Sequence, residues 1–201
     1  MTLANVVRRQ KAAGNGPGGV PALVLVTDER RLPDPAAVLA RLPAGAAVLF
    51  RHYGVAGREA LARDLMRLAR ARRLVFLVAG ADWRLAARVG AHGVHLPEAV
   101  ARGLVEPGLR LWLRRGKRLT VACHDRPALA RAARLGAEAA LLSPVFPTAS
   151  HPGAKALGAL RFAQWAARSG VPVIALGGVT SVTAKALRGA AGLAAIGGLV
   201  R

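Results

Sequence analysis

The apolar run Ala139-Ala140-Leu141-Leu142 stops at Ser143-Pro144-Val145-Phe146-Pro147-Thr148-Ala149-Ser150-His151-Pro152-Gly153-Ala154-Lys155, a stretch of hydroxyls, prolines, a His and a Lys. Proline removes a donor and fixes φ, so this stretch neither prolongs a strand nor begins a helix. It reads as an ordered loop leaving the carboxyl end of a buried strand, the place where α/β proteins build binding sites. Thr148 and Ser150 can offer hydroxyls to an anion or cap the turn. Other strand-like runs also end in reactive side chains or glycines: Asp28-Glu29, Arg51-His52-Tyr53, Gly80-Ala81-Asp82, Pro97-Glu98, Cys123-His124-Asp125, Gly177-Gly178 and Gly197-Gly198. The opposite ends of the same runs offer little comparable chemistry, and that asymmetry points to a site on one rim.

Each residue type has its own reach. Arg51 ends a run that would otherwise stay apolar, and its guanidinium suits a pyrophosphate or carboxylate through paired hydrogen bonds. It could equally pair with a rim acid such as Asp28 or Asp82. His124 reads either as a general acid/base or as a hydrogen-bonded rim residue. The pairs Gly177-Gly178 and Gly197-Gly198 let backbone N–H groups approach an anion closely, and phosphate sites in barrels use the loops after the seventh and eighth strands. A tight strand-to-helix turn would account for either pair alone, whereas two pairs at adjacent rim positions favour a phosphate cradle. His95, between Val94 and Leu96, reads as a core or lumen histidine, Cys123 as a packing residue, and Trp83, Trp112 and Trp165 as helix anchors.

These rim residues need elements to position them. Strand-like runs occur at Ala22–Thr27, Ala47–Arg51, Leu74–Val78, Gly93–Leu96, Leu119–Ala122, Ala139–Leu142, Val171–Leu176 and Leu193–Ile196. Helical periodicity marks Asp34–Arg41, Ala56–Arg72, Trp83–Val89, Glu98–Val105, Arg126–Leu135, Leu157–Arg168 and Ser181–Leu187. Strict alternation implies parallel strands with helical crossovers, and eight such units favour a small single (β/α)₈ barrel with short loops. An open doubly wound sheet is the alternative. The barrel domain is expected over residues 22–201, with residues 1–21 as an N-terminal helix or flexible arm.

Bulk properties narrow the partners. The 201 residues suffice for one domain, and no apolar run reaches the length of a membrane span. Thirty Lys and Arg against ten Asp and Glu give a net charge of +20, which favours anionic partners. Much of the excess falls on helix faces, without aromatic strands, zinc spacings or a basic tail, so phosphorylated small molecules are expected rather than nucleic acid or membrane. The single Cys123 and the lack of a secretory core suit a cytoplasmic protein. The composition leaves room for a homodimer.

Taken together, several phrases resemble the thiamine-phosphate synthase family, including its thiazole tautomerase branch. They are Leu25-Val26-Thr27-Asp28, Gly90-Ala91-His92-Gly93-Val94-His95-Leu96, Ser143-Pro144-Val145-Phe146-Pro147-Thr148, Gly170 to Val179 with its Gly177-Gly178, and Ala195-Ile196-Gly197-Gly198-Leu199. The resemblance implies a transferase that joins a hydroxymethylpyrimidine pyrophosphate to a thiazole phosphate and releases pyrophosphate with Mg²⁺. It assigns Arg51 to the pyrophosphate, Thr148 and Ser150 to the substrates, and Gly177, Gly178, Ile196 and Gly197 to the thiazole phosphate. It also matches His124 to the catalytic His of the tautomerase branch. The chain departs from the family pattern at Leu49, Tyr53, Gly80-Ala81, Ala99-Val100, Ala122 and His151, where the family places Gln, Lys, Asn-Asp, a metal-binding Asp, Ser and Lys. Asp82 and Glu98 are then the carboxylates left to rebuild a magnesium site. The resemblance thus implies a divergent synthase, with a His124-dependent isomerase or a non-catalytic phosphate binder as alternatives.

Overall fold

The computed structural model describes residues 19–148, 153 and 155–196. Within them a closed barrel of eight parallel strands forms in sequence order: β1 (Leu23–Val26), β2 (Ala47–Phe50), β3 (Val75–Ala79), β4 (Gly93–Leu96), β5 (Arg118–Cys123), β6 (Ala139–Leu142), β7 (Val173–Ala175) and β8 (Gly192–Ala195). Closure comes from β1 pairing with β8, Leu23 opposite Leu193 and Leu25 opposite Ala195. The open doubly wound sheet is therefore excluded. Of the expected N-terminal helix or arm, residues up to 18 lie outside the described residues.

Strand alternation sorts the apolar residues into two bodies. Leu23, Leu25, Val48, Phe50, Phe76, Val78, Val94 and Leu96 face outward and pack under the helices. Val24, Val26, Leu49, Leu77, Ala79, Leu141, Ile174 and Ala194 fill the lumen. Both faces of every strand are covered, which explains why the runs are continuously apolar rather than alternating with polar residues.

The helices are α1 (Pro35–Leu39), α2 (Arg58–Ala71), α3 (Trp83–Val89), α4 (Glu98–Arg102), α5 (Pro107–Leu113), α6 (Arg126–Arg134) and α7 (Ala159–Ala167). The α2 helix buries Ala62, Leu65, Met66 and Ala69, a stripe at i, i+3, i+4 and i+7. Aspartates start three of the helices. Asp34 accepts from the Ala36 and Ala37 N–H groups, Asp82 from Leu85 N–H, and Asp125 from Ala128 N–H. Each satisfies a helix donor that has no intrahelical partner.

Two elements differ from expectation. The helix expected over Glu98–Val105 stops at Arg102, and a separate helix begins at Pro107, whose missing N–H costs nothing at a first helical position. The helix expected over Ser181–Leu187 is one 3₁₀ turn, Thr183–Ala186. There Thr180 and Thr183 each accept the other's backbone N–H through their hydroxyls, and the Thr183 hydroxyl donates to the Gly178 carbonyl. Such local bonds compete with α-helical ones.

Gly93 is where β4 and β5 approach most tightly, since a Cβ there would lie 2.1 Å from the Arg118 carbonyl oxygen. Gly93→Ala is expected to destabilise the barrel by at least about 1–3 kcal/mol through overpacking. Urea unfolding would show the loss as a lower midpoint, and an unchanged midpoint would refute the close approach.

Candidate active site

Beyond the ends of the strands, the inward alternation continues into the mouth of the barrel. Leu176 and Ile196 pack partly buried on the lumen cluster. Arg51 follows the inward Leu49, and its backbone N–H donates to the Thr27 hydroxyl at 3.0 Å. The same hydroxyl lies 2.9 Å from Nδ1 of His52, a buried ring stacked on Phe50. Burial holds His52 below the ordinary imidazole range, against the raising effect of Glu29 and Asp28. Thr27 thereby fixes the strand end that presents Arg51. Among the described residues the Arg51 side chain has no ion pair.

Asp82 does not pair with Arg51. Its Oδ2 lies 2.5 Å from Nη1 of Arg58, and its Oδ1 caps α3. Arg58 also donates to the His52 and Ala79 carbonyls and lies over the Phe50 and Tyr53 rings. It ties the loops after β2 and β3 together, and the sequence reading missed it. Its signal was an arginine in the first turn of a helix, where the macrodipole disfavours a cation unless something else holds it.

Glu98 is the most engaged carboxylate. It is 7% exposed, yet three cationic or protonatable groups converge on it. Oε1 accepts from Arg102 at 2.6 Å and from Arg131 at 3.0 Å, while Oε2 lies 2.5 Å from Nδ1 of His124. Burial alone would raise its pKa, but the bonds from Arg102 and His124 outweigh that and hold the carboxyl below the ordinary range. An ionised carboxylate only accepts, so Nδ1 of His124 carries the proton toward Glu98. In the neutral ring Nε2 is then the basic nitrogen, and the side chain is 52% exposed at the rim. Such a carboxylate–imidazole pair can orient a general base, and Arg131, which sequence alone did not reveal, holds Glu98 in place.

Cys123 takes no part. It ends β5 facing outward, and burial pushes its thiol up to about 12. His95 faces the lumen, its Nδ1 2.9 Å from the Thr120 hydroxyl, as a lumen histidine should.

On the far side of the mouth, the loop after β6 packs against Gly177 and Gly178. The Val145 and Phe146 N–H groups donate to the Leu176 and Gly177 carbonyls at 2.9 and 3.0 Å. Both glycines have positive φ, and a Cβ on Gly178 would lie 2.5 Å from the Pro147 carbonyl oxygen. Close packing is therefore one reason for this pair. The other reading also stands, because neither glycine's N–H has a protein acceptor among the described residues. Thr148 is partly buried beside them. Ser150, His151 and Gly197 lie outside the described residues.

The chain matches the family described as thiamine monophosphate synthase over residues 23–199. It belongs to that family. A thiamine-phosphate synthase of Thiobacillus denitrificans is 35% identical over 179 residues, covering 85% of this chain and 81% of the relative. A thiamine-phosphate synthase of Thioalkalivibrio sulfidiphilus is also 35% identical, over 136 residues, and the chain spans 60% of that relative's length. Among solved structures, a thiamine phosphate pyrophosphorylase from Pyrococcus furiosus superposes with a TM-score of 0.70 at 22% identity, covering 86% of this chain and 84% of that one, and shares the fold.

The family implies Mg²⁺, so the donors must be tested against it. All ten carboxylate side chains of the sequence fall within the described residues. Asp82 and Glu98, expected as metal ligands, instead serve Arg58 with the α3 cap and His124 with two arginines. Asp28 accepts the Arg30 and Arg31 N–H groups, and Asp125 caps α6. Among the described residues no three His, Cys, Asp or Glu side chains are grouped to hold a metal ion. A hard cation wants several free oxygens, and these residues do not supply them.

His95 offers a test of the lumen. Burial, helped by the Arg51 charge, pushes its pKa down to about 3. The unfolded chain, with an imidazole value of about 6.5, takes up the proton first, so His95 costs stability as pH falls below that value. The loss is roughly 1.4 kcal/mol per pH unit until the folded value is reached. His95→Gln should make the decline between about pH 6 and 4 shallower by one proton, read from urea unfolding at each pH. Parallel declines in the two proteins would show that His95 is not buried neutral.

Proposed function

We propose that this barrel is an enzyme of thiamine biosynthesis that binds a thiazole phosphate at its mouth. Family membership and the names of the relatives support that substrate class, and the acceptor-free N–H groups of Gly177 and Gly178 suit its phosphate. In this reading Ile196 and Gly197 also bind the phosphate, and Thr148, Ser150 and His151 serve the substrates.

Two chemical steps compete at such a site. Joining the thiazole to a pyrimidine pyrophosphate, the reaction that the relatives' names favour, requires strong neutralisation of the departing pyrophosphate. Arg51, free of ion pairs, is the observation on its side. Among the described residues no carboxylate cluster supports a metal ion beside it, so one guanidinium would carry a load that usually falls to several charges.

Moving a proton within the heterocycle needs only what is already assembled. The observation that carries this reading is His124 held 2.5 Å from a buried, doubly arginine-bound Glu98. Nε2 of His124 takes a proton from one ring position, and the resulting imidazolium, stabilised by Glu98, returns it at another. The product is an isomer, and no charge or atom is gained or lost. Thiazole tautomerisation is accordingly the function that the geometry supports best, with the coupling reaction as the second reading.

Both steps can be followed by proton NMR on the purified chain. With a thiazole phosphate carboxylate tautomer in deuterium oxide, the isomerase reading expects isomerisation with deuterium incorporation. His124→Gln should slow it by about 10²–10⁴-fold. With a thiazole phosphate and hydroxymethylpyrimidine pyrophosphate, with and without Mg²⁺, thiamine phosphate would establish coupling instead. Turnover unaffected by His124→Gln would sink the isomerase.

A further inference from the structure

At the end of the barrel opposite the mouth, the last turns of α5 and α6 meet the amino ends of β5 and β6 around a cavity of about 460 Å³. Four cationic side chains line it: Arg110, Arg114, Lys117 and Arg134. Among the described residues the three guanidinium groups have no carboxylate partner, and the one acid in the lining, Glu138, is paired with Arg118. Lys117 is held in place, donating to the Ala91 carbonyl at 3.2 Å with its ammonium over the Trp112 ring.

Cations in last helical turns commonly answer the negative end of the helix dipole. That role calls for neither a shared cavity nor an apolar wall, and this cavity has both. Leu113 and Leu135 are only partly buried and present apolar surface between the cations. Gathering four like charges around one concavity is unfavourable until an anion enters, whereas a wall of leucine rewards an apolar body attached to it.

We propose that this cavity is a second ligand site, separate from the mouth, for a small phosphorylated molecule with an apolar or aromatic part, such as a nucleoside monophosphate. Arg110, Arg114 and Arg134 hold the phosphate by charge-assisted hydrogen bonds, Lys117 adds a fixed charge, and Leu113 and Leu135 cover the ring. The site is independent of which reaction occurs at the mouth.

Calorimetric titration of the intact chain with AMP tests it. Wild type should bind AMP at least about tenfold more tightly than inorganic phosphate, because only AMP uses the apolar wall. Arg110→Gln with Arg114→Gln, both exposed and outside the core, should weaken AMP by about tenfold or more. Arg51→Gln, at the mouth, and the pair Arg63→Gln with Arg67→Gln, on another exposed helix face, should stay within about twofold of wild type. The proposal is overturned if AMP does not bind, if the Arg110/Arg114 variant binds it normally, or if Arg51→Gln abolishes binding. It is equally overturned if a short DNA duplex, and not AMP, depends on Arg110 and Arg114.

Discussion

Closure of the parallel sheet is the constraint on which everything else in this chain depends. Strands of only three to six residues have full sets of backbone partners only because β8 returns to β1. Closure puts every second strand residue into a lumen with room for little more than Val, Leu, Ala and one histidine. It also brings all eight strand ends to one mouth, so residues separated by more than a hundred positions, such as Arg51 and Gly177, share one opening. Glycine follows from the same tightness: Gly93 is required by its neighbour strand's backbone and Gly178 by the loop after β6.

Within that frame the scarce resource is carboxylate. With thirty basic residues against ten acidic ones, most rim acids are already engaged. Four rim acids illustrate it: Asp28 and Asp125 hold backbone N–H groups, Asp82 does so while binding Arg58, and Glu98 binds two arginines and a histidine. A carboxylate so employed is a poor ligand for a hard cation, since coordination would strip lone pairs from arginines that remain partly buried, Arg131 above all. The same pairings that occupy these carboxylates let a buried Glu98, compensated by arginines, stay ionised beside His124.

The architecture was legible because its signals are local and repeated. Continuous apolar runs ending in glycine, His, Asp or Arg mark strands covered on both faces, and β4 and β6 fall where the pattern places them. Helix ends were less legible. Pro107 after Glu106 marks a helix start that was absorbed into a loop, and the hydroxyls of Thr180 and Thr183 replaced an expected helix with one turn. Around the mouth, the rim positions of Arg51, His124 and the Gly177-Gly178 pair were readable from the strand pattern. Their partners were not: that Glu98 serves His124, that Arg58 takes Asp82, and that Arg131 reaches across from α6 are tertiary facts with no fixed spacing.

The split between legible residues and illegible partners has a physical cause. The Gly177-Gly178 pair and the start of the loop after β6 are set by backbone packing. The charged side chains around the mouth are set by pairings, and a pairing can be exchanged without disturbing the strands. Arg58 with Asp82, and Arg102 and Arg131 with Glu98, are pairings of that kind. The latter hold Glu98 beside His124, while Gly177 and Gly178 are fixed by the backbone packed against them. A fold that sets its backbone features by packing and its charged rim by a few ion pairs can alter the rim without disturbing the strands.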